Sequence, residues 1–343
     1  MTPSLAAGGR FRAYLRFVAA VLWFFLARSF ARHEALGLAN EQWRPLAEQA
    51  TLFFLLLMGY GCMGFTLDRQ QRPLSAQGLP RRKGWPGEAG LGLAAGWSIA
   101  LVCVIPMVVF GGIAIVLILN RPAWGWLAAD AAFFALAAMA EELTYRGYGF
   151  QRFEQSVGSL GAALGFAAFY AIMQTLQPGS SRASIAVSLA LSLLLSMAYL
   201  RSRALWMSWG INFGWKASRA LLFGLAISGD NSHSPVVEGN PMGSFWLTGG
   251  GYGLDGSWIT FFVLLVALPV VYRLTRELDF RYNEPEIVSA GIPVDLDAAA
   301  RRQHNDAMGP GEATAPPLVR IAPILPQQSA SQPQSNPPDQ QKE

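Results

Sequence analysis

Residues 133–148 read FFALAAMAEELTYRGY, an apolar approach that runs without interruption into Glu141, Glu142 and Arg146. No turn residue separates the apolar part from the charges, so a helix that begins in one continues through the other. Helical spacing puts Glu142 and Arg146 one turn apart on the same face, where an ion pair can form. Over the whole chain, 52% of the 343 residues are hydrophobic and 14% are charged, against roughly 25% charged in a soluble domain. Such a chain has too little polar surface for water. The fold class expected is all-α, a polytopic membrane helix bundle.

A crossing helix needs about 20 mostly apolar residues. Eight stretches qualify, near 14–30, 47–66, 92–119, 126–150, 159–176, 184–200, 204–227 and 257–273. The Lys/Arg bias of the short loops sets orientation. One set of ends carries Arg10, Arg12, Arg16, Arg69, Arg72, Arg81, Arg82, Lys83, Arg152, Arg201, Arg203, Arg273, Arg276 and Arg281; the other carries Arg32, Arg44, Arg121 and Arg182. The loop from Asp230 to Asp255 has neither Lys nor Arg, so it is expected outside and both termini in the cytoplasm. The basic stretch 69–87, with Pro73, Pro80 and Pro86, is expected to lie on anionic headgroups. Three regions follow: N-terminal membrane helices with this basic loop over 1–120, a membrane core over 121–283, and a Pro-, Gln- and Ser-rich disordered tail over 284–343.

The net charge of +4 is spread over short loops, with no basic face for nucleic acid. Cys62 and Cys103 sit in apolar runs without CxxC spacing and read as small core residues. The only histidines are His33, His233 and His304, which leaves no HExxH-type metal helix and no activating base for a serine nucleophile. Ser184, Ser188, Ser192 and Ser196 recur every four residues and read as a helix-packing seam. The glycines from Gly249 to Gly253 read as turn residues. No cofactor and no metal is expected.

Intramembrane charges cost about 2.5–3.5 kcal/mol each. One arginine can offset one carboxylate, so Glu141 needs a separate partner. The seventh stretch places Asn212, Lys216 and Arg219 at i, i+4 and i+7 on one face, and a basic face in lipid needs acids opposite. The fourth stretch supplies the dense acidic set, with Asp130 a further candidate for Lys216 or Arg219. Gln174 adds an inward-looking amide. The bland reading, an ion pair that makes a helix tolerable in lipid, accounts for Glu142 with Arg146 but leaves Glu141 over.

These residues resemble the motifs of the CPBP family, the CAAX prenyl protease and lysostaphin-resistance-type intramembrane peptidases. Glu141 to Gly147, EELTYRG, is similar to its first motif, EExxxR followed by glycine. Phe169 to Gly179, FYAIMQTLQPG, resembles the second, and Ala198 to Gly229 resembles the third, with Leu247 to Gly256 similar to the glycine-rich approach to the last helix. The resemblance covers roughly 120–275. It implies that a motif-one glutamate activates water against a peptide bond while histidines and an asparagine assist and stabilise the oxyanion. The departures are Gln174 and Asn212 where the family has histidine, and Lys216 where it has asparagine. The candidate site residues are therefore Glu141, Glu142, Arg146, Gln174, Asn212 and Lys216. Lys216 opposite Glu141 makes a weaker base, and neither amide relays a proton at neutral pH.

Two readings stand: a CPBP-type peptidase that cleaves a membrane-associated peptide, or an inactive relative that binds or stabilises a membrane protein partner. A transporter is a weaker third, since no inverted repeat shows in the hydropathy. The partners expected are a membrane peptide or protein and the lipid bilayer, in a bacterial inner or cell membrane. Prenyl-CAAX processing does not follow from the family name.

Overall fold

The computed structural model describes residues 7–233 and 235–278. The expected disordered tail, 284–343, lies outside them. The chain forms α1 (Ala7–Leu38), α2 (Arg44–Thr66), the single turn α3 (Pro73–Ala76) and α4 (Trp85–Val109). After a strand β1 (Ile113–Leu117) come α5 (Arg121–Arg146), α6 (Tyr148–Val157), α7 (Ser159–Thr175), α8 (Arg182–Ser202) and α9 (Leu205–Ala217). A strand β2 (Val237–Pro241), the turn α10 (Phe245–Thr248) and α11 (Trp258–Leu274) complete it. Five helical segments, Gly8–Gly37, Arg44–Thr66, Trp85–Val109, Arg121–Val157 and Arg182–Ser202, are long and apolar enough to cross a membrane, and α7 and α11 are shorter apolar helices.

Local chemistry explains the starts. Proline opens α2, α4 and α5, where its missing N–H costs nothing. Asn120 caps α5 by accepting from Ala123 N at 2.8 Å, and Ser181 with Ser184 forms a reciprocal capping box on α8.

Three sequence expectations need correction. The stretch 92–119 is not one helix: α4 ends at Val109, Gly111 takes a positive φ of 66°, and the β-branched run after it pairs antiparallel with β2, Ile113 against Pro241 through Leu117 against Val237. The stretch 204–227 is helical for 13 residues and then widens into a five-residue π turn, Ser218–Leu222. Cys62 faces outward from α2 beside exposed Met58 and Phe65, whereas Cys103 is in the core.

Two apolar clusters build the bundle. One joins α4, α8, α9 and α11 through residues such as Cys103, Leu194, Ile211 and Leu264; the other joins α1, α2 and α5–α7 through Phe24, Leu56, Leu143 and Phe166. The exposed Phe54, Phe110, Leu160 and Val266 make an outer surface suited to acyl chains. The basic ends gather structurally: Arg16 and Arg152 both reach Asp68, at 2.6 and 3.4 Å, while Arg203 reaches Glu154 at 2.9 Å and Arg82 donates to Ser202 O at 2.8 Å.

Helices α4 and α9 touch at their backbones. A Cβ on Gly92, Gly96 or Gly210 would stand inside van der Waals contact with the carbonyl oxygen of Met207, Ile211 or Ala89. Gly210→Val is expected to force α9 from α4 and cost about 1–3 kcal/mol, read as a lower thermal midpoint in detergent. Gly125→Ala, in open space, is the control; equal midpoints for the two variants would refute the close approach.

Candidate active site

The polar centre lies where the two apolar clusters meet, among α5, α8 and α9. The i, i+4 register of α5 places Arg146 Nη1 3.1 Å from Glu142 Oε1, with both side chains fully buried, at 1% and 0% exposure. The second guanidinium nitrogen crosses to α8 and donates to Ser192 O at 3.2 Å and Ser192 Oγ at 3.1 Å. From α9, the Asn212 amide nitrogen donates to both carboxylates, Glu141 Oε2 and Glu142 Oε1, each at 3.0 Å. Only the nitrogen of that amide can serve two acceptors at once, which fixes its orientation. One turn further on, Lys216 Nζ pairs with Glu141 Oε1. Two carboxylates therefore meet two cations, and Lys216 is the separate partner that Glu141 required.

Accessibility splits the pair. Glu141 is 30% exposed and Lys216 12%, whereas Glu142 is sealed. Glu142 Oε2 and Asn212 Oδ1 are buried with no hydrogen-bond partner in the protein. Ser208 stands near Glu142, but its hydroxyl donates to Leu205 O at 3.2 Å. Tyr145 and Tyr170 meet edge to face, with ring centres 4.9 Å apart, beside the carboxylates.

Gln174 belongs to an adjacent network. Its amide donates to Ser228 Oγ at 3.2 Å and to the Tyr252 hydroxyl. Asp255 Oδ2 accepts from Ser228 N at 3.1 Å and Ser228 Oγ at 3.0 Å, and Asp255 Oδ1 sits 2.8 Å from Arg219 Nη1. Burial, reinforced by the Asp255 carboxylate, holds the Tyr252 phenol above its ordinary pKa, so it stays protonated at neutral pH. Tyr170 lies within Coulombic range of both Glu141 and Asp255.

The assignment of Asp130 to Lys216 or Arg219 is corrected. Asp130 Oδ1 bonds His233 Nδ1 at 2.8 Å, and that ring stacks on Phe133 at 4.1 Å. Arg219, the second residue of the π turn, pairs instead with Asp255. The sequence reading missed Ser192, Ser228, Tyr252 and Asp255. Asp255 had a signal: a buried arginine needs a carboxylate, and its loop holds acids without a base. Of the histidines, His33 lies on the exposed side of α1 and His233 on Asp130, while His304 is outside the described residues. All four serines of the α8 stripe are buried, as a packing seam requires. Among the described residues, no three His, Cys, Asp or Glu side chains gather as they would around a metal ion.

The segment α5–α9, with its paired glutamates, is also where a family model matches: residues 122–218 fit the description "Type II CAAX prenyl endopeptidase Rce1-like". The likeness to an Rce1-like domain is confined to residues 122–218. With its apolar helices, that makes the chain an integral membrane protein. No curated protein and no solved structure matches the chain. The matched segment contains all six candidate site residues and ends one residue before Arg219, so the Asp255 network joins it to a segment beyond the match.

Proposed function

We propose that the Rce1-like domain holds a membrane-associated peptide at the Glu141–Lys216 centre without hydrolysing it efficiently, so that the chain acts as a peptidase-like binding protein. The observation that carries this is the state of Glu141. Both of its oxygens are engaged by donors, Oε1 by the Lys216 ammonium and Oε2 by the Asn212 amide. A carboxylate held in that way is a poor acceptor for a proton from water. The positions resembling the motif histidines hold amides, and acid–base assistance is worth roughly 10²–10⁴ in rate. The same pair suits binding, because a partly exposed carboxylate beside an ammonium offers an acceptor and a donor to a peptide bond. One observation favours the peptidase reading: Glu142 Oε2 and Asn212 Oδ1 are unpartnered acceptors on which a water could be held.

The test is proteolysis by the reconstituted full chain against membrane-anchored peptides, with crosslinking to read binding. Wild type is expected to crosslink peptide and to cleave it no faster than Glu141→Ala. The triple change Gln174→His, Asn212→His and Lys216→Asn is expected to gain cleavage. Wild-type cleavage abolished by Glu141→Ala or Glu142→Ala would establish the peptidase reading instead. A further expectation concerns the pair itself: Glu141→Ala and Lys216→Ala each lower the thermal midpoint, and combining them restores part of it, with a coupling of about 0.5–3 kcal/mol. Additive losses would remove the ion pair from the account.

A further inference from the structure

At the basic end of the bundle a groove of about 970 Å³ opens between α2, α5 and α9. That is near the top of the range of small-molecule sites, about 300–1,000 Å³. Its rim is cationic. Arg82 is committed, donating to Glu88 at 3.0 and 2.6 Å and to Ser202 O at 2.8 Å. Arg72 and Arg81, which also line the groove, are exposed and have no carboxylate partner among the described residues. A guanidinium matches the two oxygens of a phosphate through paired N–H donors.

The wall below the rim is apolar and fixed. Trp206 Nε1 donates to Pro80 O at 2.9 Å and Trp209 Nε1 to Ala135 O at 3.0 Å, so both indoles, which line the groove, spend their polar atom on the protein. Trp85 packs on Trp206 with ring centres 4.5 Å apart. Tryptophans of this kind mark the level of lipid headgroups. Deeper still, Leu57 and Phe53 line the floor from α2. They lie 9 and 13 residues before Thr66, where α2 ends, which places the floor about 14–20 Å below the rim at 1.5 Å per residue. That is the depth of one leaflet, half of a hydrocarbon core about 30 Å thick.

We infer that this groove is a binding site for an anionic phospholipid, with the headgroup phosphate on Arg72 and Arg81 and an acyl chain along Trp209, Leu57 and Phe53. The charge fits a phosphate, and the apolar depth fits a chain that a soluble anion lacks. The site is separate from peptide handling, although it opens on the seam that carries Glu142. Ala135, Met139 and Glu142 share a face of α5 at i, i+4 and i+7, and Trp209 stands one turn before Asn212 on α9.

The experiment uses the full chain, delipidated in detergent and reconstituted in phosphatidylcholine nanodiscs. A minor fraction of either phosphatidylglycerol or phosphatidylcholine carries brominated acyl chains, and tryptophan quenching is read with Trp209→Phe as the reference for the groove signal. Brominated phosphatidylglycerol is expected to quench at lower mole fraction than brominated phosphatidylcholine. Arg72→Gln with Arg81→Gln is expected to reduce that preference on the order of tenfold. Arg10→Gln with Arg276→Gln, an equal loss of exposed charge from ends the sequence places on the same side, should leave it intact. Equal loss in this control would make the effect general surface charge and overturn the site. So would equal quenching by the two lipids. Release of the lipid by inorganic phosphate would show a free-anion site, and a dimer that hides the groove from both lipids would show that a second copy fills it; either result overturns the inference.

Discussion

Arg146→Met is expected to destabilise the protein by about 3–5 kcal/mol, the range for removing one partner of a buried ion pair. The side chains of Arg146 and Glu142 are 1% and 0% exposed, so water cannot replace the lost guanidinium. Glu142 would retain one donor, the Asn212 amide at 3.0 Å, and the link from α5 to Ser192 on α8 would go with it. The measurements are the thermal midpoint and the fraction of monodisperse protein after extraction. Arg146→Lys should fall between wild type and Arg146→Met, since a single ammonium nitrogen replaces the two guanidinium nitrogens that reach Glu142 and Ser192 separately. Glu142→Leu with Arg146→Met should recover much of the loss, because a buried pair replaced by apolar groups of similar size is often neutral. If the double variant is as unstable as the sum of its singles, the pair is not what Arg146 contributes.

The contrast with Glu141 and Lys216 follows from burial. That pair is partly exposed, so solvent can take over some of what either partner loses, and its expected coupling is smaller. One pair is therefore sealed inside the bundle while the other is partly open. This division was only half legible in the sequence. The i, i+4 spacing gave Glu142 to Arg146 and put Asn212 and Lys216 on one face, and the excess carboxylate demanded a cation. Which glutamate was sealed and which was open depends on the helices packed over them, and α5 alone does not encode it. Ser192 was hidden because a serine every fourth residue is explained equally well by close helix packing.

Hydropathy located the membrane helices because hydrocarbon demands long apolar runs, and it failed where apolar character continued through a change of geometry. Ile113–Leu117 is as apolar as the helix before it, yet Gly111 and Gly112 break the helix and the β-branched run finds a partner in β2, inside a loop that reads as irregular. The region after Ala217 stays apolar through a π turn, which defeats any count made at 3.6 residues per turn. Asn212 to Arg219 looks like one face by that count, yet Arg219 pairs with Asp255 and Asp130 with His233.

That partner makes the second large prediction: Asp255→Ala is expected to cost about 3–5 kcal/mol and to loosen the segment from Gly224 to Gly256. Arg219 is fully buried, with its guanidinium carbon 3.9 Å from the Trp215 ring centre and its Nε donating to Trp215 O at 3.0 Å. Its Nη1 makes a close ion contact with Asp255 that is not aligned as a hydrogen bond, so the attraction is mainly of charge. Asp255 also takes both donors of Ser228, whose φ of 50° is unusual for a residue other than glycine. Deleting the carboxylate thus strands a buried cation and frees a strained residue in one step. Amide hydrogen exchange should rise through 224–256, and Gln174 should lose the order of both its partners. Asp230→Ala in the same segment, where the side chain is 57% exposed, should change stability by under about 1 kcal/mol. Because the Glu141–Lys216 pair and the network of Asp255, Ser228 and Gln174 have no residue in common, the Glu141→Ala and Lys216→Ala pair of changes should leave exchange in 224–256 as it was. If exchange there rises with the loss of Glu141, the two networks act as one, and Gln174 returns to the candidate site through Tyr170.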